Sequence, residues 1–210
     1  MPEPYVSNSS FSLWNKDRTA WYLQYMVARE ERKGEKMTLG KIFQEAWCDK
    51  KYDYVKELKK HGFTSDKARA IKNALSHPRT IRLPKGKTEK EILVKGRGLL
   101  WPILAKLDGA DTEANLIVEN KWGKKWTQKR VDTGIYHDEN AVQRVDYQIT
   151  WYILAYYLKY RKIPRFVLQS FNEKNGIPEQ LWAKRYQFDL DRLILEINKM
   201  VMAVQQCKFI

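Results

Sequence analysis

The amino-acid sequence predicts an α/β or α+β domain built on a small mixed sheet flanked by helices, with a helical N-terminal region. Three observations support this fold class. Apolar residues recur at helical spacing through the first third of the chain, β-forming residues and turn signals dominate the middle, and an apolar helix pattern closes the chain. A chain of 210 residues is long enough for one substantial core, so we expect one domain over residues 1–210.

The first third is predicted to be helical. Residues 11–29 and 38–58 carry apolar side chains at helical spacing, and a charged linker separates them. A third, short helix follows the N-cap candidates at 64–66. It ends near His77, because Pro78 disfavours a helical conformation at the residue before it.

Strands are predicted after Pro84. Residues 91–107 are rich in β-formers and contain two glycines, which is typical of a strand pair or of one long bent strand. Residues 108–111 carry turn chemistry and residues 116–121 form a short strand-like run. The two segments therefore predict a hairpin with Asp108 in its turn.

The last third predicts helix, strand, strand and helix. A helix runs from Asn140 through Tyr156, and Pro164 introduces a strand over 165–171. A further strand is predicted within 181–188, and Asp189 is predicted to cap the closing helix.

Charge and cysteine content indicate the class of partner and the compartment. Thirty-nine basic and 25 acidic residues give a net charge of +14, which attracts polyanions. Nucleic acid is the first candidate, and a generic basic protein or an acidic membrane surface are the alternatives. Cys48 and Cys207 lack zinc or disulfide spacing and are expected to be reduced core thiols. The longest apolar stretch, 151–158, is shorter than the ~20 residues of a membrane span, so we expect a cytoplasmic protein with no membrane partner.

The triplet Glu119, Asn120 and Lys121 is the main candidate for chemistry. The same acidic-X-Lys spacing occurs at 31–33, 49–51 and 57–59, where a solvated helix face explains it. Only the triplet at Glu119 follows an apolar strand run. On a strand Glu119 and Lys121 share one face with Ile117, whereas Asn120 points to the other face with Leu116 and Val118.

A second carboxylate is expected next to this triplet. Asp108 can approach Glu119 across the hairpin, and two carboxylates can hold a hard cation such as Mg²⁺ beside Lys121. Phosphodiester hydrolysis needs a metal and a cation near the scissile phosphate, which these residues supply. An ordinary Glu–Lys pair on a surface hairpin is the alternative.

Three separated motifs resemble the PD-(D/E)XK nucleases, and more closely the branch that contains the RecB nuclease domain and the CRISPR-associated iron–sulfur exonucleases. Residues 107–111 and 117–121 are similar to the hydrophobic-Asp and hydrophobic-(D/E)-X-Lys motifs, with Glu119 eleven residues after Asp108. Residues 148–152 resemble the Gln-XXX-Tyr motif, and residues 38–44 resemble the Gly-XXX-His helix.

The resemblance implies a restriction-endonuclease-like core and a set of site residues. Asp108, Glu119 and the main-chain carbonyl of Asn120 are the implied ligands of Mg²⁺ or Mn²⁺, and Lys121 positions or activates water. Gln148 and Tyr152 support the site as neighbours on one helical face, with Arg144 one turn earlier.

The sequence departs from this branch at two places. Gln44 stands where the branch commonly has a metal-binding histidine, so Gln44 is the implied first-helix ligand, and the adjacent Glu45 points about 100° away. The four cysteines of the iron–sulfur members have no counterpart, since only Cys207 lies late in the chain. No iron–sulfur cluster is expected.

A basic and aromatic segment follows the candidate strand. Indoles and cations interleave as in proteins that stack bases and bind phosphates, and the alternative is a charged loop whose tryptophans pack on the domain. With Arg144, the candidate DNA-binding residues are Lys124, Lys125, Trp126, Lys129 and Arg130.

Together these features predict a Mg²⁺- or Mn²⁺-dependent deoxyribonuclease. An exonuclease role in recombination, repair or phage DNA processing is expected in a bacterial or phage-infected cell, with DNA as substrate and a helicase, recombinase or single-strand-binding protein as further partners. The alternative is a non-catalytic nucleic-acid-binding module that retains the fold, which the departure at Gln44 favours.

Overall fold

A computed structural model describes residues 5–28, 35–84, 86–96, 98–123, 126–132 and 147–206. The strands are β1 (Val6–Ser7), β2 (Thr88–Val94), β3 (Ile103–Asp111), β4 (Leu116–Trp122), β5 (Arg165–Phe171) and β6 (Pro178–Ala183). The helices are α1 (Asn8–Lys16), α2 (Arg18–Tyr22), α3 (Glu35–Cys48), α4 (Tyr54–Lys60), α5 (Ser65–Ser76), α6 (Gln128–Asp132), α7 (Gln148–Tyr160) and α8 (Gln187–Gln205), with a π-helical segment over Leu23–Ala28.

The strands form one mixed sheet in the order β1-β3-β4-β5-β6, with β2 also paired to β3. The β1–β3 and β4–β5 pairs are parallel, and the β2–β3, β3–β4 and β5–β6 pairs are antiparallel. Helix α7 lies in the connection between the parallel strands β4 and β5, as a parallel crossover requires. The predicted mixed sheet and the β3–β4 hairpin are confirmed.

The two faces of the sheet carry different apolar layers. Ile117 belongs to a core that includes residues of α1, α7 and α8. Leu116 and Val118 belong to a second core with residues of α3 and α5. The predicted alternation of side chains along β4 is therefore confirmed, and it determines which helices can reach each functional residue.

The hairpin turn lies later than the sequence predicts. Residues 108–111 are part of β3, and the turn occupies 112–115. Asp111 Oδ1 accepts the backbone N–H groups of Glu113 and Ala114, an Asx turn that needs only the last aspartate of the run. Gly109 lies within β3, at a position where a Cβ would come within 2.6 Å of Leu83 Cδ1.

Other predicted boundaries also move. The region 38–58 divides into α3 and α4, because Asp53 caps a new helix by accepting the N–H of Lys56. The strand predicted within 181–188 ends at Ala183, and α8 begins at Gln187 with Tyr186 as N-cap.

The predicted cap of the last helix has a different position. Asp189 is the third residue of α8 and accepts a hydrogen bond from the backbone N–H of Tyr186, the contact that the third residue makes in a capping box. The helix predicted from Asn140 falls partly on residues 133–146, which lie outside the described residues. None of the described helices is both long enough and apolar enough to cross a membrane.

Candidate active site

The candidate site lies where β3 and β4 separate. Their ladder pairs Asp111, Ala110 and Gly109 with residues 116–118, and the next opposed positions are Asp108 and Glu119. Asp108 Oδ2 accepts a hydrogen bond from the backbone N–H of Asn120 at 2.7 Å. A side-chain carboxylate of β3 therefore takes the place of the β3 carbonyl that would accept this N–H in a continuing ladder. Because β4 stays paired with β5 along its whole length, the strand carrying Glu119 is held on one side and open on the other.

Glu119 is a buried carboxylate with its two oxygens in different surroundings. Only 3% of the residue is exposed. Oε1 accepts from Lys121 Nζ at 2.7 Å and from Gln148 Nε2 at 3.2 Å. Oε2 is buried and accepts no hydrogen bond from the residues that the structure describes. A buried carboxylate oxygen without a partner is costly, so this position favours a cation or a further donor.

Lys121 joins the buried carboxylate to the surface. Its side chain is 23% exposed and forms a short charge-assisted bond with Glu119. The two residues are separated by one position on β4 and therefore share a face, as the sequence predicts. The ammonium group is thus fixed beside the carboxylate on a side chain that is partly exposed.

Gln148 and Tyr152 lie together on the first turns of α7. Gln148 Nε2 donates to the Tyr152 hydroxyl at 2.8 Å as well as to Glu119. Both N–H groups of the amide have an acceptor, so Gln148 holds Glu119 in place and Tyr152 holds Gln148. The predicted pairing of these residues on one helical face is observed.

Gln44 does not join the carboxylates. Asn120 Nδ2 donates to Gln44 Oε1 at 3.3 Å, and Gln44 Nε2 donates to Cys48 Sγ at 3.3 Å. Asn120 and Glu119 alternate along β4, and α3 packs on the Asn120 side. The expectation that Gln44 is a first-helix ligand is therefore corrected, because the sheet stands between its amide and Glu119.

Glu45 is half-buried on α3. Burial, followed by the charges of Glu57 and Glu45, raises the pKa of Tyr52. Cys48, predicted to be a core thiol, is half-buried, and Cys207 lies outside the described residues.

Gln169 is a buried polar residue that the sequence prediction missed. It lies on β5 opposite Asn120, is fully buried, and donates to Asn120 Oδ1 at 2.9 Å. Its amide also exchanges hydrogen bonds of 2.7 and 3.0 Å with the backbone of Ile81. The sequence feature that could have indicated this buried amide is a glutamine inside the otherwise apolar strand run of 165–171.

The predicted DNA-binding segment is described only in part. Trp126 is buried with 1% exposure, and the Arg130 guanidinium lies 3.9 Å from the centroid of its ring. Base stacking on Trp126 is therefore excluded in this structure, and the alternative of a tryptophan packed on the domain holds for that residue. Lys124, Lys125, Arg144 and the side chain of Lys129 lie outside the described residues.

Comparison with known proteins gives a structural match. No protein-family model and no curated protein matches the chain. The chain is similar to the crystal structure of a protein from Eubacterium rectale that is provisionally named an exonuclease, with a TM-score of 0.61 and 13% sequence identity. The match covers 96% of this chain and 80% of that one. The two proteins share a fold.

The residues of the site fit a divalent cation with a small set of protein ligands. Asp108 and Glu119 flank the Asn120 peptide, whose N–H points to Asp108. Because the N–H and C=O groups of a strand residue point to the same side, the Asn120 carbonyl faces the open side of β4. In the described part of the chain no three His, Cys, Asp or Glu side chains gather. Two carboxylates with bound water suffice for Mg²⁺, so the donor set fits this ion.

Proposed function

We propose that the chain is a Mg²⁺- or Mn²⁺-dependent deoxyribonuclease of the PD-(D/E)XK kind. One observation carries the proposal: Glu119 has one oxygen fixed by Lys121 and Gln148, whereas its buried second oxygen has no partner among the described residues. This arrangement beside Asp108 favours a site built to receive a cation. The fold shared with a protein provisionally named an exonuclease supports the same class of activity.

The ligands of the cation would be Asp108, Glu119 and the main-chain carbonyl of Asn120. When bound, Mg²⁺ or Mn²⁺ supplies charge neutralisation at the phosphate and lowers the pKa of the attacking water. The protein contributes a partly buried setting, in which charge interactions are stronger than in bulk water. Gln44 is left out of this ligand set, because its amide binds Asn120 on the opposite face.

Lys121 would act on the substrate. Its ammonium group is held at 2.7 Å from Glu119 Oε1, and its side chain is 23% exposed, so it can donate to a scissile phosphate oxygen or hold a water in line. Such a fixed donor stabilises the charge that develops on the phosphate in the transition state. Gln148 and Tyr152 are positioning residues, since their contacts are with Glu119 and with each other.

The Lys121→Ala variant tests this assignment. We expect cleavage of linear DNA to fall by orders of magnitude while the fold and Mn²⁺ binding persist, because the carboxylates remain. Lys106→Ala is a matched control, since Lys106 is an exposed lysine of the neighbouring strand β3. Undiminished cleavage by Lys121→Ala would refute the role of the lysine.

We extend the proposal to an exonuclease role in recombination, repair or phage DNA processing, with the shared fold of a protein provisionally named an exonuclease as its support. End-labelled linear DNA and closed circular DNA, each incubated with and without Mn²⁺, distinguish the two modes of cleavage. An exonuclease degrades the linear substrate and leaves the closed circle intact. Relaxation or linearisation of the circle would instead indicate an endonuclease.

The second candidate is a nucleic-acid-binding module that keeps the fold without hydrolysis. The loss of Gln44 from the ligand set and the absence of a third acidic, histidine or cysteine ligand among the described residues favour it. Calorimetric titration with Mn²⁺ separates the candidates. A binding module would show no Mn²⁺ binding that depends on Asp108 and Glu119, together with DNA binding that falls steeply with salt.

A further inference from the structure

Three large aromatic rings are exposed within seven residues at the end of β6. Trp182, Tyr186 and Phe188 are 42%, 52% and 55% exposed, and Lys184 is exposed between them. The Tyr186 and Phe188 rings lie at an interplanar angle of 12° with centroids 6.3 Å apart, and Lys184 Nζ is 4.9 Å from the Tyr186 centroid. We call these four residues the aromatic surface.

The backbone of this segment is anchored, so the rings are held outward by the fold. Arg185 is 3% exposed and donates to Thr150 Oγ1 of α7 at 2.9 Å and to the carbonyl of Val131 at 2.7 Å. Asp189 fixes the N–H of Tyr186 at the start of α8. Ala183, Arg185 and Asp189 are buried within this segment, so its backbone is held against the domain while the aromatic rings project outward.

Helix α6 borders the aromatic surface. It follows β4 in the chain, and Gln128 Nε2 donates to the Trp182 carbonyl at 2.8 Å. The bond from Arg185 to Val131 fixes the other end of the helix. Arg130, one of the candidate DNA-binding residues, therefore lies on a helix that borders the aromatic surface.

The chemistry of the aromatic surface favours one kind of partner. Exposed rings that alternate with a lysine offer stacking faces together with a cation for phosphate. The net charge of +14 attracts a polyanion and disfavours another basic protein surface. Duplex DNA keeps its bases within the stack, so free rings of this kind suit unpaired bases.

We propose that the aromatic surface binds single-stranded nucleic acid by base stacking and holds the strand beside α6. The choice of nucleic acid as the partner rests on the proposed function. The location is distinct from the predicted basic segment, in which Trp126 is buried. A strand bound here would lie along the edge of the sheet formed by β6, beside α6.

Fluorescence anisotropy with labelled oligothymidylate tests the proposal. The measurement uses full-length protein carrying Lys121→Ala, in chelator, so that cleavage does not interfere. Adding Tyr186→Ser and Phe188→Ser should weaken binding by about 30-fold, the low end for two stacked bases. Serine is a favoured N-cap residue, so the change at Tyr186 preserves the start of α8.

Two controls isolate the aromatic rings. Tyr186→Phe with Phe188→Tyr retains both rings and should bind as tightly as the parent protein. Tyr5→Ser removes a tyrosine that is 51% exposed outside the aromatic surface and should leave binding unchanged. Binding of the matching duplex should change by less than about twofold, because paired bases do not stack on the rings.

Several outcomes would overturn the proposal. Unchanged oligothymidylate binding by the serine variant, or an equal loss for the duplex, would exclude base stacking at this surface. Loss of self-association or of binding to phosphatidylserine vesicles with unchanged oligothymidylate binding would assign the surface to those partners instead. The wild-type protein, which retains Lys121, is assayed separately for DNA cleavage. If it does not cleave DNA while the serine variant loses oligothymidylate binding, the proposed function is wrong and the binding of single strands by the aromatic surface is supported.

Discussion

Gln169→Met removes the buried amide that supports the candidate strand from its opposite face. Methionine is unbranched and close to glutamine in volume, so packing in the sheet is nearly conserved. The lost interactions are the bonds to Asn120 Oδ1 and to both backbone groups of Ile81. The perturbation is therefore one of hydrogen bonding with little change in core volume.

The magnitude follows from counting the groups left without a partner. The Ile81 carbonyl still accepts from Trp47 Nε1 at 3.1 Å, whereas the Ile81 N–H and Asn120 Oδ1 each lose their bond to Gln169. Two such groups cost about 2–6 kcal/mol together. Burial of the apolar methionine side chain offsets about 1 kcal/mol of this loss in stability. We expect the free energy of unfolding to fall by about 1–5 kcal/mol, a large part of the stability of a typical domain.

Urea denaturation followed by circular dichroism measures this loss. The m-value should be unchanged, since the surface exposed on unfolding is the same. Gln205→Met, at an exposed position of α8, is the matched control and should change the free energy of unfolding by less than about 0.5 kcal/mol. A loss of less than about 0.5 kcal/mol for Gln169→Met would refute the reasoning, because the amide network would then contribute nothing to folding.

Two further predictions concern the site and the hairpin beside it. Tyr152→Phe removes the hydroxyl that accepts a hydrogen bond from the Gln148 amide. The value of kcat for DNA cleavage should therefore fall about 3- to 10-fold with KM unchanged. A change confined to KM would contradict the positioning role of Tyr152. The ion pair with Lys87, followed by the N–H of Ala114, lowers the pKa of Asp111. The ion pair therefore stabilises the fold at neutral pH, and this stabilisation is lost as the pH falls below about 3.9 and through the lowered pKa. In Asp111→Asn the free energy of unfolding should fall less steeply as the pH is lowered. An unchanged acid dependence would exclude this contribution.

The regular features of the fold could be predicted because they follow from local rules. The alternation of Glu119 and Asn120 along β4 follows from strand geometry, and the end of α5 follows from the effect of Pro78 on the residue before it. The pairing of Gln148 with Tyr152 follows from the helical repeat. Each of these rules acts within a few residues of the chain.

The remaining features depend on tertiary contacts. Asp108 and Gly109 carry turn chemistry, but both lie in β3, where the neighbouring residues Leu107 and Gly109 pair with β2. The motif around Gln44 does not determine which face of the sheet α3 covers.

Exposure of aromatic rings is equally a tertiary property. Trp126 belongs to a basic segment and is nevertheless buried, whereas Tyr186 and Phe188 are exposed because Arg185 anchors the chain between strand and helix. The sequence therefore predicts that Asp108 and Glu119 approach each other across the hairpin, whereas the amide network and the aromatic surface depend on the tertiary fold.

The most direct test of the central claim is the rate at which end-labelled linear DNA is cleaved in Mn²⁺ by the wild-type protein and by Glu119→Gln. Glu113→Gln serves as the matched control, because Glu113 is an 85% exposed carboxylate of the same hairpin. If Asp108 and Glu119 hold the catalytic cation, the wild-type protein and Glu113→Gln cleave DNA only with the metal, and Glu119→Gln is slower by orders of magnitude. Cleavage that needs no metal, or that proceeds at the wild-type rate in Glu119→Gln, would contradict the account.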